Sequence, residues 1–141
     1  MDTFHTDKDI HVLEVITYSF GGVPLLSLAG DFDHSSAALF GERANQALES
    51  GGTSLLLQLT DTAYIDSGGV SILLALLHTV RNRGWLGVIG PNPDVLRLLR
   101  IIGLTIDPNF RVFRDLDEVG EFLRHGPDAP SAPVLEQITE I

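Results

Sequence analysis

The chain contains no cysteine, so disulfide bonds, thiolate catalysis and cysteine-ligated metal sites are excluded. Positive charge is also scarce, because nine Lys and Arg residues stand against nineteen Asp and Glu residues, a formal net charge of −10. Lysine occurs only once, as Lys8. Nucleic acids and anionic membranes are bound by clustered cationic side chains. The composition therefore argues against both of these partners and favours another protein.

Long apolar runs are missing as well. No stretch of the sequence approaches the ~20 apolar residues that cross a bilayer. The polar start of the chain, residues 1–9, does not have the pattern of a signal peptide. We therefore expect a cytoplasmic protein. At 141 residues, 44% of them hydrophobic, the chain can build one core of ordinary size.

What the sequence does contain is a regular alternation of strand and helix patterns. The predicted strands cover residues 11–18, 25–29, 54–59, 86–89 and 110–113, and the predicted helices cover about 35–49, 67–81, 94–102 and 116–123. Ser35 or Ser36 is predicted to cap the first helix. Strands that alternate with helices form parallel sheets. We predict an α/β fold in the order ββαβαβαβα, a mixed, mostly parallel central sheet with flanking helices.

The patterns also divide the chain into one domain and two ends. The strands and helices predict a single domain at residues 11–125, preceded by an N-terminal extension at 1–10. Residues 126–141 carry three prolines close together and no core-facing pattern in their first half, so we expect a flexible C-terminal tail. Its last residues, 134–141, could form a nascent helix.

Asp66 and Ser67 lie at a corner between the buried strand pattern and the helical pattern that begins at Val70. Ser67 could cap the helix, as serine often does. It could act as a nucleophile, which requires a nearby base, but its surroundings are not a Gly-x-Ser-x-Gly elbow. It could also accept a phosphate, whose negative charge a helix N-terminus favours. The local sequence leaves these alternatives open.

A second polar group, Asp31, Asp33 and His34, also follows a predicted strand. Two carboxylates and an imidazole could hold a cation, whereas the simpler interpretation is a loop in which one carboxylate caps the next helix. No other group of His, Asp and Glu has ligand spacing, and no Walker loop or dinucleotide fingerprint occurs. We therefore expect neither a metal ion nor a cofactor.

The helix after Ser67 is apolar on two faces. The predicted core stripe contains Val70, Leu73, Leu74 and Leu77. Ile72 and Leu76 fall on the opposite face. Such a helix is either buried on both faces or presents a binding surface. Because the domain is small, we expect Ile72 and Leu76 to contribute to a partner-binding surface.

Three landmarks in order resemble the STAS domain of bacterial anti-sigma factor antagonists. Leu-Ala-Gly-Asp-Phe-Asp at residues 28–33 resembles the family signature Leu-x-Gly-Glu-Leu-Asp. Ile-Asp-Ser-Gly-Gly-Val at residues 65–70 resembles the motif Asp-Ser-(Ser/Thr)-Gly-(aliphatic)-Gly. Residues 90–104 resemble the turn and helix that follow the next strand of the family. The likeness covers about residues 12–122 and implies a compact α/β domain.

The resemblance also implies a function without enzymatic activity. A STAS antagonist binds an ATP-binding, kinase-type anti-sigma factor, which phosphorylates the serine after the motif aspartate and thereby releases the antagonist. A metal-dependent phosphoserine phosphatase reverses this step. The matching serine is Ser67, and we expect Asp33, Asp66, Gly68 and Gly69 to contribute to the partner-binding surface. The chain departs from the motif at Gly68, where the family has a second hydroxyl residue, and at Ser71, where the family has a small glycine or alanine.

Two other functions remain open. The chain could be a structural STAS module in a scaffold or a lipid-transport complex, with a serine that is never phosphorylated. It could also be a small hydrolase that uses Ser67, although no histidine stands in a recognisable relay.

Overall fold

A computed structural model describes residues 14–50 and 52–125 of the chain. The strands are β1 (Glu14–Phe20), β2 (Val23–Phe32), β3 (Leu55–Ile65), β4 (Leu86–Ile89) and β5 (Phe110–Phe113). The α-helices are α1 (His34–Glu49), α2 (Ser67–Val80), α3 (Pro93–Ile101) and α4 (Leu116–His125), with a short 3₁₀ turn at Leu104–Ile106. The predicted order ββαβαβαβα is confirmed. The predicted N-terminal extension and C-terminal tail lie outside the described residues.

The five described strands form one sheet in the order β1-β2-β3-β4-β5. β1 pairs antiparallel with β2, and every other neighbouring pair is parallel. The hairpin turns at Gly21 and Gly22, whose φ angles of 60° and 84° lie in the left-handed region that two-residue hairpin turns require. The predicted mixed, mostly parallel sheet is therefore confirmed.

The two faces of the sheet build separate cores. In β3, Leu55 and Leu57 face the larger core, which also contains the buried side chains of α1, α2 and α3. Leu56 faces the opposite side, where Trp85 and Phe113 pack with α4. Alternating side chains of a strand point to opposite faces, so a fully apolar strand such as the first part of β3 supplies both cores.

β3 is longer than its apolar run predicts, since it continues beyond Leu59 to Ile65. The first four residues of β3 pair with β4, whereas the part beyond Gln58 pairs only with β2. One-sided pairing leaves much of this extension exposed, which explains its polar sequence. Within it, the buried Thr62 hydroxyl donates a hydrogen bond to the Leu28 carbonyl at 2.9 Å. The extension carries the chain to the edge of the sheet where α1 and α2 begin.

Among residues 14–50 and 52–125, no helix is both long enough and apolar enough to span a membrane.

Candidate functional site

The helices α1 and α2 begin side by side. β2 and β3 are parallel neighbours, and their last residues, Phe32 and Ile65, are partners in the register. The next residue in each chain segment is an aspartate with extended backbone, Asp33 before α1 and Asp66 before α2. Both aspartates are N-caps. The carboxyl ends of two adjacent strands thus bring two helix N-termini, with their partial positive charge, to one place.

Asp33 caps α1, which confirms the interpretation that a carboxylate of this loop caps the next helix and corrects the prediction that Ser35 or Ser36 does so. Its Oδ1 accepts hydrogen bonds from the backbone N–H groups of Ser35 and Ser36 at 3.0 and 3.2 Å, and from their hydroxyls at 2.8 and 3.2 Å. The Ser36 hydroxyl in turn accepts the Asp33 N–H at 3.0 Å, which completes a capping box. The capping group is therefore the Asp33 carboxylate, and the two serines act as hydrogen-bond donors to it.

The same bonds change the acidity of Asp33. The hydrogen bond from the Ser35 hydroxyl is the main cause that lowers the pKa of Asp33 below its ordinary value of 3.8, while desolvation opposes the effect and the bonds from Ser36 add to it. Hydrogen bonds to the ionised form favour that form. Asp33 is therefore a charged helix cap. Among the described residues, no group of three or more His, Asp and Glu is arranged to hold a metal ion.

Asp66 caps α2, so the interpretation of Ser67 as the helix cap is wrong. Asp66 Oδ1 accepts the backbone N–H groups of Gly68 at 2.7 Å and Gly69 at 3.2 Å. Its Oδ2 accepts the backbone N–H of His34, the first residue of α1, at 3.3 Å. One carboxylate therefore joins the N-termini of both helices.

Ser67 is the first residue of α2, and its side chain is exposed. No hydrogen bond within the described residues engages its hydroxyl, because Asp66 performs the capping. No described side-chain base is hydrogen-bonded to it either, as a serine nucleophile would require. The arrangement leaves an accessible hydroxyl next to a positively polarised helix start, which suits a phosphate.

Gly68 and Gly69 are buried, and both are positions of close approach. A Cβ at Gly68 would lie 2.7 Å from the His34 Cα, and a Cβ at Gly69 would lie 2.5 Å from the Phe32 carbonyl oxygen. Both distances are too short for a side chain, so the glycines allow α2 to start against the end of β2 and the start of α1. Their expected role in partner binding is untested, and the structure gives them a packing role.

His34 belongs to this site, although the sequence patterns placed it only in the loop with Asp31 and Asp33. Its backbone contacts Asp66, and its side chain lies beside Gly68, since a Cβ at Gly68 would be 2.9 Å from the His34 Cγ. The signal was present: His34 follows the strand next to the one that leads to Ser67, and parallel neighbours end at the same edge of a sheet. The order of strands, which was needed to use that signal, came only from the structure.

Ile72 and Leu76 do not form an exposed face, which corrects the prediction for α2. The Leu76 side chain is only 3% exposed and belongs to the large core, and Ile72 is partly buried against the same core. The reason is α1, which packs beside α2 and approaches closely at Gly41, where a Cβ would lie 3.4 Å from the Ile72 Cδ1. Leu74, predicted to face the core, is 47% exposed. The helix is buried on two sides, by the sheet and by α1.

The sequence matches a known family of domains. A family model described as Mlab, STAS domain, matches residues 17–112, more than half of the chain. The chain belongs to the STAS domain family. No curated relative matches the sequence.

Solved structures of anti-sigma factor antagonists share the fold. A protein from Thermotoga maritima described as a putative anti-sigma factor antagonist superposes with a TM-score of 0.71 at 21% identity, over 76% of this chain and 92% of that one. An anti-sigma factor antagonist from Mycobacterium paratuberculosis gives 0.64 at 23% identity, over 76% and 90%. The anti-sigma factor antagonist SpoIIAA in its unphosphorylated form gives 0.61 at 16% identity, over 80% and 98%. At these identities the likeness establishes the fold.

Proposed function

We propose that this STAS domain is a phospho-regulated anti-sigma factor antagonist, a binding module and not an enzyme. In this proposal it binds a kinase-type anti-sigma factor in the cytoplasm, and phosphorylation of Ser67 releases it. The observation that carries the proposal is the exposed Ser67 hydroxyl, which is left free at the start of α2 because Asp66 caps the helix. Structural neighbours that include the phosphorylated form of SpoIIAA support it.

The fold should tolerate a phosphate at this position. A phosphoserine carries about −1.5 to −2 charges at neutral pH. At the first residue of α2 the helix dipole favours that charge by a few tenths to about 2 kcal/mol. The neighbouring carboxylates Asp33 and Asp66 oppose it, and both are already stabilised by backbone N–H groups. We therefore expect phosphorylation to change binding and to leave the domain folded.

The phosphate would act on the partner surface. The adjacent N-termini of α1 and α2 form a corner that contains Asp33, His34, Asp66 and Ser67. A protein packed over this corner would have to desolvate a dianion, which is costly without a matched cation. Each ~1.4 kcal/mol of penalty lowers the affinity tenfold. A switch of useful size therefore needs no change of conformation. The anti-sigma factor, its ATP-dependent kinase activity and the phosphatase that resets Ser67 are parts of the same proposal.

Binding measurements with Ser67 variants test it. Ser67→Ala should bind the unmodified anti-sigma factor as tightly as the wild-type protein and should stay bound when ATP is added. Ser67→Asp should bind at least about tenfold more weakly, a penalty of ~1.4 kcal/mol, and melt close to the wild-type temperature. Ser71→Asp is the matched control, because Ser71 is exposed on the same helix one turn further along. Equal weakening by both aspartates would show that charge on this helix, and not the Ser67 position, controls binding.

The structural alternative has one observation in its favour. Gly68 stands where the antagonist motif has a second hydroxyl residue, and His34 fills the space that a side chain there would need. A STAS module that never undergoes phosphorylation would form a constitutive assembly. Co-purification of the protein with its partner, with and without ATP, separates the two functions, since only the antagonist is released by ATP.

A further inference from the structure

The first residues of α1 and α2, His34 and Ser67, occupy equivalent positions at the same corner. Each follows the aspartate that caps its helix, and each has an exposed side chain. The His34 N–H donates to Asp66 Oδ2 at 3.3 Å, so the backbone of α1 is tied to the residue that precedes Ser67. The first residues of two adjacent helices thus carry an imidazole and a hydroxyl, and both residues are exposed.

The His34 side chain lies against the residue that follows Ser67. A Cβ at Gly68 would lie 2.9 Å from the His34 Cγ, so the base of the imidazole contacts Gly68. Consecutive Cα atoms are about 3.8 Å apart, and Gly68 follows Ser67 immediately. Because Gly68 has no side chain, nothing attached to it separates the ring from Ser67.

The charges around His34 are acidic. Asp33 and Asp66, which cap the two helices, are the charged residues next to His34, and Asp31 lies two residues before Asp33 in β2. No Arg of the described residues forms an ion pair with Asp33 or Asp66. In the described structure the His34 ring itself has no hydrogen bond or ion pair. The imidazole is therefore free to pair with a new anion at this corner.

We propose that His34 binds the phosphate on Ser67 and holds it at the start of α2, so that the phosphorylated state depends on pH. The inference rests on the proposed function. Histidine side chains titrate near pH ~6.5 and the second ionisation of phosphoserine lies near pH ~6. Each charged form favours the other. The pairing contributes at mildly acidic pH and is lost as the pH rises and the imidazolium releases its proton.

A phosphoprotein made without the kinase provides the test. Phosphoserine is installed at position 67 by genetic-code expansion, and the phosphate is titrated by ³¹P NMR from about pH 5 to about pH 8, where both groups ionise. We expect the phosphate of the His34→Gln protein to titrate at a higher pH than that of the otherwise unaltered phosphoprotein, by up to ~1 unit. His78→Gln, the same change at the exposed histidine near the far end of α2, should leave the titration unchanged.

A charged replacement separates the pairing from a structural effect. His34→Arg introduces a cation that does not titrate in this range. The phosphate should therefore titrate at a low pH, as in the unaltered phosphoprotein, and its pairing with the cation should no longer depend on pH. The inference is overturned if the phosphate titrates alike in the unaltered phosphoprotein and in the His34→Gln variant, whatever the His34→Arg variant shows. Melting curves of the same proteins made with serine at position 67 show that the substitutions leave the domain folded. Failure of the proposed function looks different: the phosphoprotein would still bind the anti-sigma factor with full affinity, whatever its titration.

Discussion

The N-termini of α1 and α2 are built alike, but their serines make different contacts. Asp33 and Asp66 both cap a helix from the end of a parallel strand. At α1, the hydroxyls of Ser35 and Ser36 both bond to the capping carboxylate. At α2, the hydroxyl of Ser67 bonds to nothing in the described structure, and glycines follow it. A serine in the second or third position after the capping aspartate bonds to its carboxylate, as in α1. A serine in the first position, as in α2, keeps its hydroxyl accessible to other molecules.

The comparison also shows what each start has to accommodate. α1 has room for side chains in its first turn, where Ser35 is exposed and Ser36 partly buried. α2 begins against α1 and β2, so Gly68 and Gly69 are needed in its first turn. The only side chain of that turn before Val70 is Ser67. The start of α2 thus presents a single hydroxyl side chain, and any partner recognition proposed there would depend on it.

The largest effect should come from the packing that holds α1 and α2 together. Leu76→Ala should lower the free energy of unfolding by ~2–5 kcal/mol, because a buried leucine is replaced by a cavity. Leu74→Ala, the same change on the exposed side of α2, should cost ~0.5 kcal/mol or less. Chemical denaturation measures both. If the two variants unfold alike, Leu76 is not buried in the large core.

A substitution in the closely packed first turn of α2 should lower the free energy of unfolding almost as much as Leu76→Ala. Gly69→Ala should destabilise the domain by ~1–3 kcal/mol, since the new Cβ would collide with the Phe32 carbonyl. Gly120→Ala in α4 is the control. Its Cβ would have open space, with the nearest atom 3.9 Å away, so alanine should stabilise that helix by ~0.5–1 kcal/mol. A neutral Gly69→Ala would mean that α2 can start further from β2.

The two caps should differ in strength. Asp66→Ala should cost ~1–2 kcal/mol of stability, because the carboxylate caps α2 and also binds the His34 N–H of α1. Asp33→Ala should cost less, since Asp33 bonds only within its own helix start. Thermal or denaturant unfolding of the two single variants ranks them. An Asp33 variant that is the less stable of the two would contradict the bridging role of Asp66.

The smallest effect should be a pH dependence at Asp33. Its pKa in the folded protein is lowered by the Ser35 and Ser36 hydrogen bonds, so its ionised form stabilises the fold above the ordinary value of 3.8. That contribution is lost as the pH falls through the lowered folded value. The stability difference between wild-type protein and Asp33→Asn should be constant near neutral pH and should shrink in acid. A difference that grows in acid would contradict this assignment.

The order of elements could be predicted because each element has a strong local pattern. β4, all four residues of which are buried, was predicted with its observed bounds at Leu86–Ile89. The end of β3 was missed because only β2 pairs with it, which leaves its residues polar. The serine caps were mispredicted because several residues that favour N-caps stand next to each other, and only the backbone shows which one precedes the helix.

The face of α2 was mispredicted for a different reason. Helical periodicity places Ile72 and Leu76 on one side of the helix, but it does not say what lies against that side. Ile72 meets α1 at Gly41, and Leu76 lies in the large core that α1 and α2 share. The contact between His34 and Gly68 is equally invisible to local patterns, because the two residues are far apart in sequence and meet only through the strand order.

Phosphate mapping after reaction with the kinase-type anti-sigma factor and ATP is the most direct test of the central claim, that the free hydroxyl at the start of α2 is the regulated one. The account predicts phosphate on Ser67 and none on Ser35 or Ser36, whose hydroxyls are bonded to Asp33. It also predicts that Ser67→Ala abolishes labelling. Phosphate on the serines of α1, on Ser71, or on none of these residues would contradict it.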